Sequence, residues 1–514
     1  MSERAPLRSL ARPVVAVAAL LAIVLALWHL TAATAGLSIT RAAVGPIPVT
    51  VFRPAAPGPA PVAVVAHGFA GSQQMMQAFA TTLARDGVLV VTFDFPGHGR
   101  NPEKLAGGLT DDAAASGALV GALGRVVAFA RDLPGGDGRV ALVGHSMASD
   151  IAIQYARAHP DVDATVAVSV FARDVTADSP RNLQVVVGGL EPEMLHAEGR
   201  RIVGMASAGP VREGVTYGRF ADGTARRLVV APGVEHIGVL YSRDTLRAVR
   251  DWLDAAFARQ GGDFVDARGP WIGLLLLGAV LLAWPLSALL PRAAVPAAGA
   301  GLRWRHLLPL AMLPAVATPL LLWKLPTDFL PLLLGDYLAV HCALYGLLTA
   351  GGMWLLRRRD AAGEAVRIRR SSLVIAALAV PAYAVLALAL PMNAFVSSFL
   401  PTPTRVPFVL AMLAGMLPWF LADEWLTRGA AAPRGAYAVT KLCFLLSLAL
   451  AIALDLHRLF FLIIIVPVIL LFFVIYGLFS AWTYAAVRHP LPGALANAIA
   501  LAWAVGVTFP LVVH

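Results

Sequence analysis

Ser146 sits at the apex of the stretch Val140 to Ser149, VALVGHSMAS. An apolar β-type run, Val140 to Val143, ends in Gly144-His145-Ser146-Met147-Ala148, and apolar residues resume at helical spacing through Ile151, Ala152 and Tyr155. Strand, sharp turn and helix thus follow one another with a hydroxyl at the point of the turn. Such a turn strains its backbone and needs small residues two before and two after the serine. Gly144 and Ala148 meet that need, the alanine being a mild departure from G-x-S-x-G. A serine hydroxyl is a poor nucleophile at neutral pH. Attack on an acyl carbon therefore requires a base to take its proton and a carboxylate to orient that base.

The elements that must position these groups lie between Leu37 and about Gly262, where strand and helix signals alternate with Gly/Pro punctuation. The pattern predicts a mostly parallel sheet with helices on both faces. Strands are expected at 49–53, 62–66, 88–93, 140–143, 164–170, 183–187 and 227–231, with helices at 75–85, 112–133 and 244–257. Strands alternating with helices bring a ligand site to the C-terminal edge of the sheet, where the unusual residues cluster.

Four motifs stand in order: HGFAG at 67–71, DFPGHGR at 94–100, GHSMA at 144–148 and a histidine late in the domain. Together they make residues 45–260 resemble the α/β-hydrolase superfamily, nearest its dienelactone-hydrolase and small-esterase branches. The resemblance implies Ser146 as nucleophile and His236, in PGVEHIG after the last expected strand, as base. It implies Glu191, in GGLEP, as the acid in the place of the family's G-x-x-D aspartate, with Asp174 or Asp178 as the alternative. The oxyanion donors it implies are the backbone N–H groups of Met147 and Phe69. Asp94 and His98 resemble the family's structural loop. His67, His98, His145, His159 and His196 sit in other motifs or on helices, Glu235 reads as a loop charge, and Asp150 as a helix contact. No cofactor is expected, since the chain has no phosphate loop, metal-ligand cluster or dinucleotide fingerprint. Only about a dozen residues separate Val170 from the next strand, too few for a substantial lid, which suits an acyl ester or lipid-like substrate.

The chain has 514 residues, 58% hydrophobic and 14% charged, too apolar for one soluble globule and too long for one domain. Its net charge of +10 lies in the N-terminal tail and in short loops between apolar runs, which excludes a nucleic-acid surface and fits a membrane protein. Cys342 and Cys443 both lie in apolar runs and offer no disulfide framework. The expected organisation is an anchor or signal peptide at 1–35, an α/β-hydrolase domain at 36–265 and an all-α polytopic membrane domain of about eight helices at 270–514. Arg4, Arg8 and Arg12 precede the first apolar run. Alternate later loops carry Arg292, Arg303, Arg305, Arg357 to Arg359, Arg367, Arg369, Arg370, Arg428, Arg434, Lys441 and Arg488, against Lys324, Arg405 and Arg458 opposite. That asymmetry puts the hydrolase domain outside the cytoplasm in the cell membrane. The string Asp423 to Arg428 resembles the E-E-x-x-x-R signature of the CAAX-protease family, without that family's histidine motifs downstream. Two further functional readings follow: a transporter or lipid-handling bundle with an accessory hydrolase-fold domain, and a membrane protease built on Glu424.

Overall fold

The computed structural model describes residues 5–56, 58–107, 111–172, 174–357 and 366–513; Arg4, Arg358 and Arg359 lie outside them. Contacts divide the chain into two units, one of Leu25–Leu274, Pro391–Phe399 and Pro510–His514, the other of Met1–Val24, Leu275–Leu390 and Leu400–Phe509.

The first unit is built on a nine-stranded sheet. Its strands are β1 (Ser38–Val44), β2 (Ile47–Arg53), β3 (Ala60–Ala66), β4 (Leu89–Phe93), β5 (Gly136–His145), β6 (Ala164–Val168), β7 (Leu183–Gly188), β8 (Thr216–Tyr217) and β9 (Arg226–Ala231), in the order β1-β2-β4-β3-β5-β6-β7-β9-β8. From β4 to β9 neighbouring strands are parallel, and β1, β2 and β8 add antiparallel edges. Every residue of β3 and of β4 is buried, as expected of strands covered on both faces, and their sequences are correspondingly continuous apolar runs. The covering helices are α2 (Gln77–Arg85), α3 (Asp112–Arg131), α4 (Met147–Ala158), α5 (Glu193–Gly204) and α6 (Arg243–Ala256). One buried cluster packs Phe79, Leu83, Val90, Val143, Val249 and Trp252; another packs Ile153, Val185, Val187, Ile202 and Leu228. Chain order reverses at β3, whose neighbours are β4 and β5, so the loops leaving β3 and β5 open a crevice at the switch point.

β1 was not expected. Its residues are almost all exposed and carry no alternating pattern, so the hairpin alone forms it, pairing in register from Ser38↔Arg53 to Val44↔Ile47. Two segments distant in sequence complete this unit. Ser398 donates its N–H to Ser72 Oγ at 2.8 Å, and Leu511 exchanges backbone hydrogen bonds with Gly97 and Leu105 at 2.8 Å each.

Among the described residues, ten helices are long and apolar enough to cross a membrane. One of them is α3, which belongs to the sheet unit and buries Leu119, Leu123, Val126 and Val127 along one stripe. The others are α1 (Ala5–Ala32), α7 (Gly269–Ser287), α8 (Trp304–Leu322), α9 (Gly335–Arg357), α10 (Arg370–Phe395), α11 (Val406–Thr427), α12 (Ala436–Leu454), then, after the single turn α13 (Leu456–Leu459), α14 (Leu462–Val487) and α15 (Leu491–Thr508). A short β10–β11 pair (Ala294–Val295 and Arg367–Ile368) links two of their connections. α9, α11 and α15 approach closely because small residues face the contacts: a Cβ on Gly346 would stand 2.3 Å from Trp419 N, and one on Gly415 2.6 Å from Ala339 O.

Two ion pairs among the described residues lie inside this second unit, while buried Arg405 donates to the carbonyls of Gly506 and Phe509 and buried Asp336 accepts backbone N–H groups. Lys441 bonds Asp423, and Arg428 Nε reaches Glu424 Oε2 at 3.1 Å while its Nη2 donates to Ser480 Oγ at 3.0 Å. Glu424 also accepts from Asn497, whereas His341 is engaged by Ser447 at 3.0 Å and Tyr337 at 3.3 Å. The partners of Glu424 are thus an arginine and an amide, not a histidine.

Candidate active site

Ser146 occupies φ 53°, ψ −119°, a strained conformation for a residue with a side chain. Its N–H is held by Val168 O at 2.8 Å, which ties the turn to β6. A Cβ on Gly144 would lie 2.2 Å from Ala148 O, so the turn closes only with glycine there. The HGFAG turn comes equally near from β3, since a Cβ on Gly68 would stand 3.0 Å from Ser146 Cβ. Phe69 follows Gly68 in that turn, and Met147 opens α4 directly after the serine. Met147 N–H thus adjoins Ser146 at a helix N-terminus, and Phe69 lies one residue beyond the close approach of Gly68 to Ser146.

His236 lies in the loop between β9 and α6. Its Nε2 is 3.0 Å from Ser146 Oγ and its Nδ1 is 2.5 Å from Glu191 Oε1. With the carboxylate accepting from Nδ1–H, Nε2 is left to accept the serine proton. Glu191 leaves β7 through a tight turn, its side chain fully buried while 40% of the His236 side chain is exposed. The other carboxylate oxygen accepts from Gly188 N–H at 2.6 Å and Ser169 Oγ at 2.9 Å. Burial works to raise the Glu191 pKa, but the hydrogen bonds from His236, Gly188 and Ser169 and the His236 charge outweigh it and hold the carboxyl below its ordinary value.

The alternative acids lie elsewhere. Asp174 is exposed and 3.9 Å from Arg157, and Asp178 accepts from Thr176 Oγ1 at 2.9 Å. Glu235 caps the next turn through Ile237 and Gly238 N–H, and Asp150 accepts from Gln154 at 2.7 Å. Asp94 ties the DFPGHGR loop together, accepting from Gln73 N at 2.8 Å and Arg100 N at 3.0 Å. His67, buried, meets Gly68 O through Nδ1 at 2.8 Å and accepts Phe95 N–H on Nε2 at 3.2 Å. Burial, acting against the charge of Asp94, keeps it below the usual imidazole pKa.

Two supporting groups carry no sequence signal of their role. Ser169, at positive φ after β6, donates to Glu191. His145 donates from Nε2 to the backbone carbonyl of His236 at 3.0 Å, and burial with the adjacent His236 pushes its pKa down to about 3, so it stays a neutral donor. Its place beside the nucleophile hid this contact in the elbow motif. No cap helix occurs among the described residues of 169–182.

The strand order and the serine turn at its C-terminal edge define an α/β-hydrolase domain, related to serine hydrolases. The profile of the serine aminopeptidase S33 family matches residues 57–194, a span that includes Ser146 and Glu191 and stops short of His236. No curated protein sequence matches the chain. Among solved structures, the chain is similar to a CIB-like hydrolase from Thermoplasma acidophilum, at 16% identity and a TM-score of 0.33, covering 42% of this chain and 99% of that one. It is similar to Est1E from Butyrivibrio proteoclasticus, at 15% identity and a TM-score of 0.30, over 44% of this chain and 100% of that one. A Klebsiella pneumoniae protein described as a dienelactone hydrolase gives 18% identity, a TM-score of 0.32 and coverage of 44% and 99%.

Proposed function

We propose that this protein is a membrane-anchored serine esterase, lipase-like in substrate preference, that cleaves acyl esters through Ser146, His236 and Glu191 without a cofactor. The continuous line from Ser146 Oγ through His236 to Glu191, mounted on a strained turn, is the observation that carries the reading. His236 Nε2 takes the serine proton as Oγ attacks the ester carbonyl. Glu191 steadies the resulting imidazolium, and the N–H groups of Phe69 and Met147 receive the developing oxyanion. His236 then protonates the departing alkoxide, leaving an acyl-enzyme that water resolves by the same steps in reverse order.

An acyl substrate is supported by the rim. Phe171, Leu190, Met194 and Ile237 are all more than two-fifths exposed, and they are sequence neighbours of Ser169, Glu191 and His236. Exposed apolar side chains this close in sequence to the triad favour an apolar substrate portion. The apolar helices and the distribution of arginine among their loops support a multi-pass protein in the cell membrane with the hydrolase domain outside the cytoplasm. A transporter reading has less behind it: Asp423 and Glu424 are neutralised by Lys441 and Arg428, and a cavity of about 660 Å³ in the helical unit is lined almost wholly by apolar residues such as Leu347, Met353 and Leu417.

The test is labelling of membranes with a fluorophosphonate probe. Wild type should label, and Ser146→Ala and His236→Ala should both lose labelling while remaining folded. Wild type that is folded and unlabelled would defeat the esterase reading.

A further inference from the structure

We propose that the hydrolase unit holds a second binding site, separate from Ser146: an anion pocket for the phosphate of an acidic lipid headgroup. The cavity has a volume of about 300 Å³. Its floor is a polar row across the sheet, because Arg41 on β1 pairs with Thr50 on β2, and Thr50 with Thr92 on β4. Its walls include the last turn of α1, at Leu30 and Thr31, and the end of α10, at Asn393 to Phe395.

A count of hydrogen-bonding groups shows what would fit. The side-chain amide oxygens around the cavity are already occupied. Gln73 Oε1 accepts from Thr50 at 2.6 Å, Gln74 Oε1 from Ser72 at 2.8 Å and Ser398 at 3.1 Å, and Gln77 Oε1 from Arg268 at 2.6 Å. Arg268 is committed to Asp266, Gln77 and Thr81. The Arg100 guanidinium gives one hydrogen bond, to Asn393 Oδ1 at 3.2 Å. Among the described residues, Arg41 makes no hydrogen bond or ion pair, and no lining residue is acidic. The cavity therefore presents spare donors and two guanidiniums without carboxylate partners, which calls for an acceptor-only, negatively charged group. Leu30, Ile39, Phe52 and Phe395 supply an apolar side, so an amphiphile fits better than a bare ion. α1 ends at Ala32 and α10 at Phe395, which sets the pocket at headgroup depth if both helices cross the membrane. This inference rests on the membrane reading and is independent of the esterase reading.

The test uses full-length protein, stripped of lipid in dodecyl maltoside, with the thermal unfolding midpoint read against dihexanoyl phosphatidylglycerol, dihexanoyl phosphatidylcholine and inorganic phosphate. Phosphatidylglycerol should raise the midpoint and phosphatidylcholine should not. The double variant Arg41→Gln, Arg100→Gln should raise the half-saturating phosphatidylglycerol concentration at least about tenfold. An unchanged response in that variant, or an equal response to phosphatidylcholine, overturns the proposal. Inorganic phosphate acting at the same concentration as phosphatidylglycerol keeps the anion pocket and overturns the lipid as its source. The double variant must match the wild-type midpoint without ligand; if it does not, Arg41→Gln alone, on an exposed edge strand, decides by the same criterion. Release of the protein from membranes by alkaline carbonate would defeat the membrane reading by a separate readout. Loss of fluorophosphonate labelling with an arginine-dependent lipid response would defeat the esterase reading only.

Discussion

Glu191→Gln is the sharpest probe of the proposed triad, because the surroundings leave the amide no harmless orientation. Glu191 Oε2 receives two donors, Gly188 N–H and Ser169 Oγ, while Oε1 faces His236 Nδ1. A glutamine can put its oxygen toward Gly188 and Ser169, but its NH2 then faces Nδ1. That orientation selects the imidazole tautomer with the proton on Nε2, which cannot accept from Ser146. Turned the other way, the NH2 meets the Gly188 N–H head-on and loses a buried hydrogen bond. Either arrangement removes the negative charge that steadies the imidazolium. By analogy with the corresponding change in a serine protease triad, kcat should fall by about 10³–10⁴, equivalent to roughly 4–5.5 kcal/mol of transition-state stabilisation, with KM little changed. The assay is hydrolysis of p-nitrophenyl butyrate by purified protein, with folding checked by thermal melt. Glu191→Asp, which keeps the charge but shortens the reach, should fall between glutamine and wild type. Activity of Glu191→Gln within threefold of wild type would refute the reasoning, as would an equal loss from Asp174→Asn or Asp178→Asn.

Gly144→Ala should destabilise the hydrolase unit by at least about 1–3 kcal/mol, since its Cβ meets the backbone of α4 rather than a movable side chain; a lowered melting midpoint checks this, and an unchanged one would argue against the strained turn. Asp254 has its pKa raised to about 7, first by burial and then by the hydrogen bond and charge of Asp86, despite Arg259 nearby. The folded state thus keeps a proton that the unfolded chain releases near about pH 4, so stability should fall as pH rises from about 4 to about 7 and level off above. Asp254→Asn should flatten that slope, raising the melting midpoint more at pH 8 than at pH 5; an equal effect at both would show that the carboxyl does not titrate in that window.

How much of this could be read from the chain depends on whether the controlling contact is local. The elbow was legible because strand, small residues and helix all lie within a few positions of Ser146. The parallel core was legible because strands buried on both faces must be apolar throughout. α3 is as apolar as a membrane span, yet its position between strand signals at β4 and β5 marked it as part of the sheet unit. The hydrophobic pattern could not choose among Glu191, Asp174 and Asp178. That choice depends on which loop meets His236, and the structure brings only Glu191 of the three within hydrogen-bond distance. Nor could it show β1, which backbone pairing forms without apolar burial, or the return of 391–399 and 510–514 to the sheet unit. These last contacts join residues hundreds of positions apart through serines, amides and backbone groups, and no periodicity records them. The anion pocket has the same origin. Arg41, Arg100 and Arg268 are unremarkable as sequence, one on an edge strand and two in loops; only the fold puts them around one cavity and takes up the neighbouring amide oxygens. Chemistry set by backbone geometry is therefore visible early, whereas chemistry set by which loops converge is visible only when the sheet edge is assembled.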